Sequence, residues 1–258
     1  MRAQQRECIH RTIACLGAAL VCGWAGLVWA QRAPVTLRVE IVQKQAGAQP
    51  VSTAAPAKDA SGVVVWLSPL DEAARHAAAS TLPHPAPKLV QRNKAFEPHL
   101  LVIQAHATVQ FPNDDPFFHN VFSLFEGKRF DLGLYEAGTT KSVVFDRVGV
   151  SYLFCNIHPE MSAVVVAVDT PYFAVSDRAG QVTIPGVADG HYQLQVFYER
   201  GVPEDLKSLA RPVTITDSTR SLGTIAVDAN PDFSLAHKNK YGQDYVPPAP
   251  GNPAYSRP

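Results

Sequence analysis

Cys155, His158 and Met161 share one seven-residue stretch, C-N-I-H-P-E-M, between the apolar runs YLF at 152–154 and SAVVVAV at 162–168. A thiol, an imidazole and a thioether are donors that a copper ion accepts readily. Cys155 closes one predicted strand and Met161 opens onto the next, which leaves His158 on the connection. A fourth donor must come from another strand. The candidate is His119, in FPNDDPFFHNVFS at 111–123, where a turn-rich stretch runs into a predicted strand. Two imidazoles and a thiolate in a trigonal set, with a weak axial thioether, make a copper site suited to electron transfer. Zinc on His119, Cys155 and His158 is the rival. Met161 weighs against it, because zinc gains little from a thioether.

The pattern HN at 119–120, followed by C-x2-H-x2-M at 155–161, resembles the cupredoxin family over residues 88–170. The short ligand loop is most similar to that of the amicyanins. The resemblance implies a Greek-key β-sandwich in which His119, Cys155, His158 and Met161 bind one type 1 (blue) copper. It also implies that Asn120 ties the two ligand loops together near the thiolate. The implied function is relay of single electrons between redox partner proteins. A copper carrier or buffer without an electron-transfer role is the alternative, and a binding module with structural copper is a third. His158, beside Pro159 in a loop, is expected to leave one ring edge near the surface. Phe117 and Phe118 then either form an apolar rim around that edge or fill the core beneath it.

No enzyme is expected. Phe154 and Asn156 flank Cys155, where multicopper oxidases and copper nitrite reductases place a histidine. A dinuclear copper centre needs a second cysteine in the loop. No Ser-His-Asp arrangement or phosphate-cradling glycine loop stands out. Asp114 and Asp115 read as a turn ahead of the strand of His119 rather than as an acid–base pair. His76, His84, His99, His106, His191 and His237 show no pairing and are left unassigned.

The elements that must position these donors are strands, and the fold class is all-β. From 88 to 170, HLLVI, TVQF, HNVF, RFDLGLY, KSVVF, VSYLF and SAVVVAV follow at short intervals, separated by turn residues such as Pro112-Asn113 and Ala137-Gly138. That spacing fits an antiparallel sandwich or barrel. VTLRVEIV at 35–42 alternates apolar and polar residues as a half-buried strand does, and GVVVWL at 62–67 reads as a more buried one. The Ala-rich piece at 71–80 reads as a surface insertion rather than a partner helix, and STLPHPAPK at 80–88 as a linker.

VSDRAGQVTIPGVADGHYQLQVFYE at 175–199 resembles the carboxypeptidase regulatory-like modules, with their strand, D-x-x-G turn, strand and P-G-x-Y pattern. This implies a discontinuous prealbumin-like β-sandwich, 35–70 plus 172–228, with the cupredoxin domain of 88–170 inserted in it or packed beside it. One enlarged sandwich is the alternative. Residues 229–258 are rich in Pro, Asn and Gly and are expected to form an irregular tail.

At the other end, Arg2, Arg6 and Arg11 precede an apolar run, and Val28-Trp29-Ala30 offers a cleavage site, the pattern of a secretory signal peptide over 1–30. An uncleaved anchor is the rival. Cleavage would leave one of the four cysteines, Cys155, and one of the two methionines, Met161. It would move the formal net charge from 0 to −2, since Arg2, Arg6, Arg11 and Glu7 depart. Such a balance gives no support for nucleic-acid binding. A lone cysteine in an exported chain cannot form an internal disulfide, so it needs another reason to be there. The expectation is Sec export to a periplasmic or extracellular location, with no membrane span after cleavage.

Overall fold

A computed structural model describes residues 33–43, 59–80, 86–124, 127–230 and 232–245. Residues 1–30, where a signal peptide is expected, most of the expected linker at 80–88 and residues 246–258 lie outside the described residues. Strand β1 (Val35–Gln43), strand β2 (Val63–Pro69) and helix α1 (Glu72–Ala79) come first. Then follow β3 (Val90–Arg92), β4 (Ala95–Glu97), β5 (Leu100–Gln104), β6 (Thr108–Pro112), β7 (His119–Ser123), β8 (Phe130–Tyr135), β9 (Thr140–Val144), β10 (Gly149–Phe154) and β11 (Ser162–Val168). The described chain ends with β12 (Phe173–Val175), β13 (Gln181–Ile184), β14 (Gly190–Tyr198), helix α2 (Pro203–Ser208), β15 (Arg211–Ile215) and β16 (Ser221–Ala229). The fold is all-β, with two short helices among the described residues. None of its helices is long and apolar enough to cross a membrane, again among the described residues.

Two sheets, β13-β1-β16 and β12-β2-β14-β15, enclose one apolar core, and we call this the flanking sandwich. β1 shows the alternation read from its sequence: Val35, Leu37, Val39 and Ile41 are buried, while Arg38 is exposed. The D-x-x-G turn places Gly180 at φ +76, where its carbonyl accepts the Val39 N–H at 2.7 Å. A Cβ at Gly180 would lie 2.0 Å from the Val39 carbonyl oxygen, so only glycine fits there.

The ligand sandwich is built from the sheet β5-β11-β10-β7-β8 and the pairs β6-β9 and β3-β4, around Phe111, Phe145, Leu153 and Val165. A third apolar cluster joins the two sandwiches: Val64 and Trp66 of β2 pack with Val164, Val166 and Val168 of β11. This explains why β2 and β11 read as continuous apolar runs. Successive side chains of a strand point to opposite faces. In β11, Ala163, Val165 and Ala167 enter the ligand-sandwich core while the intervening valines enter the shared cluster. A strand covered on both faces has no polar side to show.

One expectation fails here. The Ala-rich segment at 71–80 is a packed helix and not a surface insertion. Asp71 caps it by accepting the Ala74 N–H at 2.7 Å, and Ala74 and Ala78 are buried in the flanking-sandwich core. Asp71 also accepts the His191 N–H of β14 at 2.7 Å, which fixes the helix start to the sheet. Two alanines suffice as a buried face because their short side chains let the helix lie close, and so small a face hardly shows in the sequence.

Candidate metal centre

β10 runs antiparallel to β7, with Phe154 opposite Phe122. The residue after β10 is Cys155, so the pairing carries its thiol to the sheet end where β7 begins with His119. The turn from 155 to 161 then folds back on itself: the Cys155 N–H donates to the Met161 carbonyl at 3.3 Å, and the Met161 N–H to the His158 carbonyl at 3.1 Å. His158 is thereby turned toward His119. The two Nδ1 atoms are 3.1 Å apart, and the Cys155 Sγ lies 3.6 Å from that of His158 and 3.8 Å from that of His119. All three side chains are buried. An ion about 2.0 Å from each imidazole nitrogen and about 2.3 Å from a thiolate, the distances zinc adopts with these donors, fits inside a triangle with such edges. Met161 is fully buried in the same core, with its backbone alongside Cys155.

The imidazole of His119 is held from behind. Its Nε2–H donates to Asp115 Oδ2 at 2.7 Å, which leaves the Nδ1 lone pair aimed at the centre of the triangle. Asp115 is fixed in turn by the backbone N–H groups of Asn93 and Lys94, at 2.6 and 2.9 Å. Those two residues turn the β3–β4 hairpin at φ 53 and φ 54. Burial works to raise the Asp115 carboxyl, but the Lys94 N–H, the His119 ring and the Asn93 N–H outweigh it and hold it below its ordinary value. Burial lowers His119, and Asp115 opposes that without overcoming it. Burial also raises the Cys155 thiol, against backbone N–H groups of Ile157, Asn120 and His158 that face the sulfur. Those three N–H groups are placed to donate to a thiolate.

Asn120 does approach the thiol, but through its backbone. Its side-chain amide instead donates to Asp131 of β8 at 2.8 Å, and its buried carbonyl oxygen has no partner among the described residues. His158 departs further from expectation. It is 1 % exposed, so it presents no ring edge at the surface. The reason is the loop ahead of β7. Asn113 donates to the Phe117 carbonyl at 2.8 Å and accepts the Asp115 N–H at 3.1 Å, folding the loop over the site. The half-buried Phe117 ring then lies 5.2 Å from that of His119 and 5.6 Å from that of His158, while Phe118 turns outward and is 55 % exposed.

The structure thus brings His119, Cys155 and His158 together and adds residues that sequence reasoning missed. Asp115 had a local signal, an acid four residues before a candidate ligand histidine. Asp131, which holds Asn120, had none.

No family model matches the sequence, and no curated protein matches it. Among solved structures, a purple cupredoxin from Nitrosopumilus maritimus is 26% identical, covering 32% of this chain and 99% of that one at a TM-score of 0.30. Amicyanin from Paracoccus versutus is 24% identical, covering 36% of this chain and 89% of that one at a TM-score of 0.30. A copper-containing nitrite reductase from Thermus scotoductus SA-01 is 22% identical, covering 50% of this chain and 28% of that one at a TM-score of 0.31.

Proposed function

We propose that this chain is an exported, non-enzymatic cupredoxin-type protein that holds one type 1 copper on His119, Cys155, His158 and Met161 and relays single electrons between redox partner proteins. The observation that carries the reading is the buried triangle of two imidazole nitrogens and one sulfur with edges of 3.1, 3.6 and 3.8 Å. When bound, copper supplies reversible one-electron chemistry. The chain does the rest. Three backbone N–H groups meet the charge on Cys155. Asp115 fixes the tautomer and angle of His119. The closed 155–161 turn keeps the donors from rearranging between oxidation states, which is what makes electron exchange fast. Burial of all three donors favours passage of electrons over binding of a substrate.

With His158 covered, Phe117 becomes the contact between the site and the outside. It touches both imidazoles, and exposed Phe118 beside it offers an apolar spot for brief docking. The flanking sandwich, on this reading, is the discontinuous carboxypeptidase regulatory-like module and serves as a frame on which the ligand sandwich sits.

The test is to load the purified chain with copper and record its visible spectrum and its rate of electron self-exchange. One copper per chain, an intense thiolate-to-copper absorption and fast exchange are expected. A colourless complex would remove the type 1 assignment. Copper that passes readily to an apo-acceptor while electrons exchange slowly would replace the relay with a carrier.

A further inference from the structure

Residues 232–245 contain no helix or strand, yet they do not hang free. Phe233, Leu235, His237 and Asn239 are partly buried while Asp232, Ser234, Ala236 and Lys238 are exposed. That is the period of an extended segment laid along a surface. The segment then closes a tight turn: the Asn239 N–H donates to the Gln243 carbonyl at 2.9 Å, and the Gly242 N–H to the Asn239 carbonyl at 2.9 Å. The turn returns Tyr245 to His237, whose Nε2 lies 3.0 Å from the Tyr245 hydroxyl.

What this segment grips is the thiolate end of the donor triangle. The His237 ring stacks on Phe154 at 3.9 Å and 22°. The Tyr245 hydroxyl donates to the Cys155 carbonyl at 2.8 Å. The Lys240 N–H donates to the Asn156 side chain at 3.0 Å. Three consecutive residues, 154 to 156, are each held by a different residue of the tail. A fourth contact leads to the other ligand strand through β8: Lys240 Nζ pairs with Asp131 at 2.8 Å, and the same carboxylate holds Asn120, the neighbour of His119. Burial pushes the Tyr245 phenol above its ordinary value, so its hydroxyl keeps the proton it donates.

We infer that the tail is a strap that locks the metal-ligand loop, with Tyr245 and Lys240 as positioning residues that set the place of Cys155 and slow the loss of bound metal. The inference deepens the copper reading and rests on it for the metal. Its mechanical half, restraint of Cys155, stands without any metal. The physical basis is that ligand loops with no regular structure depend on outer partners for their position, and loss of such partners weakens metal sites by about 10–100-fold. A backbone carbonyl hydrogen-bonded from outside resists a peptide flip, and the Cys155 carbonyl belongs to the peptide that joins Cys155 to Asn156.

The test uses the full chain with Tyr245→Phe, which removes one hydroxyl and keeps the ring, and separately with Lys240→Met. In metal-free protein under native conditions, alkylation of Cys155, located by peptide mapping, is expected to speed up in both variants. In copper-loaded protein, transfer of copper to a chelator is expected to speed up by about 10-fold, with a shift in the thiolate-to-copper band. Unchanged alkylation in both variants, with each shown to be folded by its unfolding curve, overturns the strap. A wild-type chain that takes up no copper overturns the proposed function instead, and the alkylation rates still decide whether the strap restrains Cys155.

Discussion

The two sandwiches solve the same packing problem but bury different kinds of polar group. In the flanking sandwich, the buried polar side chains complete the backbone at its margins. Ser176 accepts the Val63 N–H and donates to the Ala60 carbonyl, and Arg220 donates to the carbonyls of Ala33 and Val187. In the ligand sandwich, His119, His158, Asp115 and Asn120 are buried together at one end of the sheet. There, Asn120 Oδ1 and Ser123 Oγ have no partner among the described residues. A buried polar atom left unpaired costs about 1–3 kcal/mol. The flanking sandwich carries the same kind of cost at Arg220 Nε. The difference lies in which groups are buried: among the described residues, only the ligand sandwich gathers two imidazoles, a carboxylate and a thiol within one end of its core. A cluster of buried titratable groups departs from what a core needs for packing, and such departures mark functional sites.

The widest test of that contrast removes the sulfur. Cys155→Ser is expected to abolish the thiolate-to-copper absorption while the chain still unfolds cooperatively, read from the visible spectrum and a denaturant curve. A variant that keeps its colour would separate the site from Cys155 and break the comparison.

A matched pair sharpens it. Leu67 and Leu153 are both fully buried, one in each core. Replacing either by Ala is expected to cost about 2–5 kcal/mol in urea unfolding, the usual range for a buried leucine. Only Leu153→Ala is expected to alter the copper spectrum, because Leu153 lies near the end of β10, two residues before Cys155. If Leu67→Ala shifts the spectrum equally, the two sandwiches do not divide frame from site.

Asp115 gives a smaller effect of a different kind. In Asp115→Asn the side-chain oxygen can still accept from His119, so the ring stays oriented while one buried negative charge disappears. The more highly charged oxidised copper loses more than the reduced form. The reduction potential is expected to rise, and affinity for oxidised copper to fall by about 10-fold. Asp115→Ala, which removes the hydrogen bond too, should fall toward 100-fold. Equal potentials in wild type and Asp115→Asn would leave Asp115 as a loop anchor only.

How much of this was legible follows from the range of each interaction. The strands were readable because alternation and apolar runs are local, and the ranges from β5 to β11 lie close to those read from the sequence. The donors were readable because three of them share one loop and their chemistry is unusual in company. Asp115 sat in plain view but looked like any turn acid, since only the folded loop brings it behind His119. The burial of His158 depends on Phe117, about forty positions earlier in the chain. The tail was beyond reach, because no pattern in residues 237–245 names residues 154–156 as its partners. The helix at 71–80 was missed for the opposite reason: its signal is local, but alanine makes it faint.

The finest test lies at the joint between the two sandwiches. His99, on the turn before β5, has Nδ1 at 3.0 Å from the Ser162 carbonyl and Nε2 at 2.8 Å from the Glu199 carboxylate, just beyond β14. Both partners accept only, so both nitrogens must carry protons and the ring must be an imidazolium for both bonds to hold. The Glu199 hydrogen bond raises the His99 pKa above its ordinary 6.5, with burial and Arg200 opposing and the Glu199 charge and the Ser162 carbonyl assisting. A folded pKa above the unfolded one stabilises the fold fully below 6.5 and loses that contribution as pH rises through the folded value. With the His99 side chain 44% exposed, solvent screens the pair and the gain is a fraction of what a buried pair would give. Urea midpoints of wild type and His99→Gln should therefore differ most in mildly acid solution and converge as the imidazolium loses its proton. Glu199 strengthens the trend, because its other oxygen is buried without a partner among the described residues and loses its compensation when His99 becomes neutral. A gap that stays constant across that range would mean that the shared valine cluster alone holds the two sandwiches together.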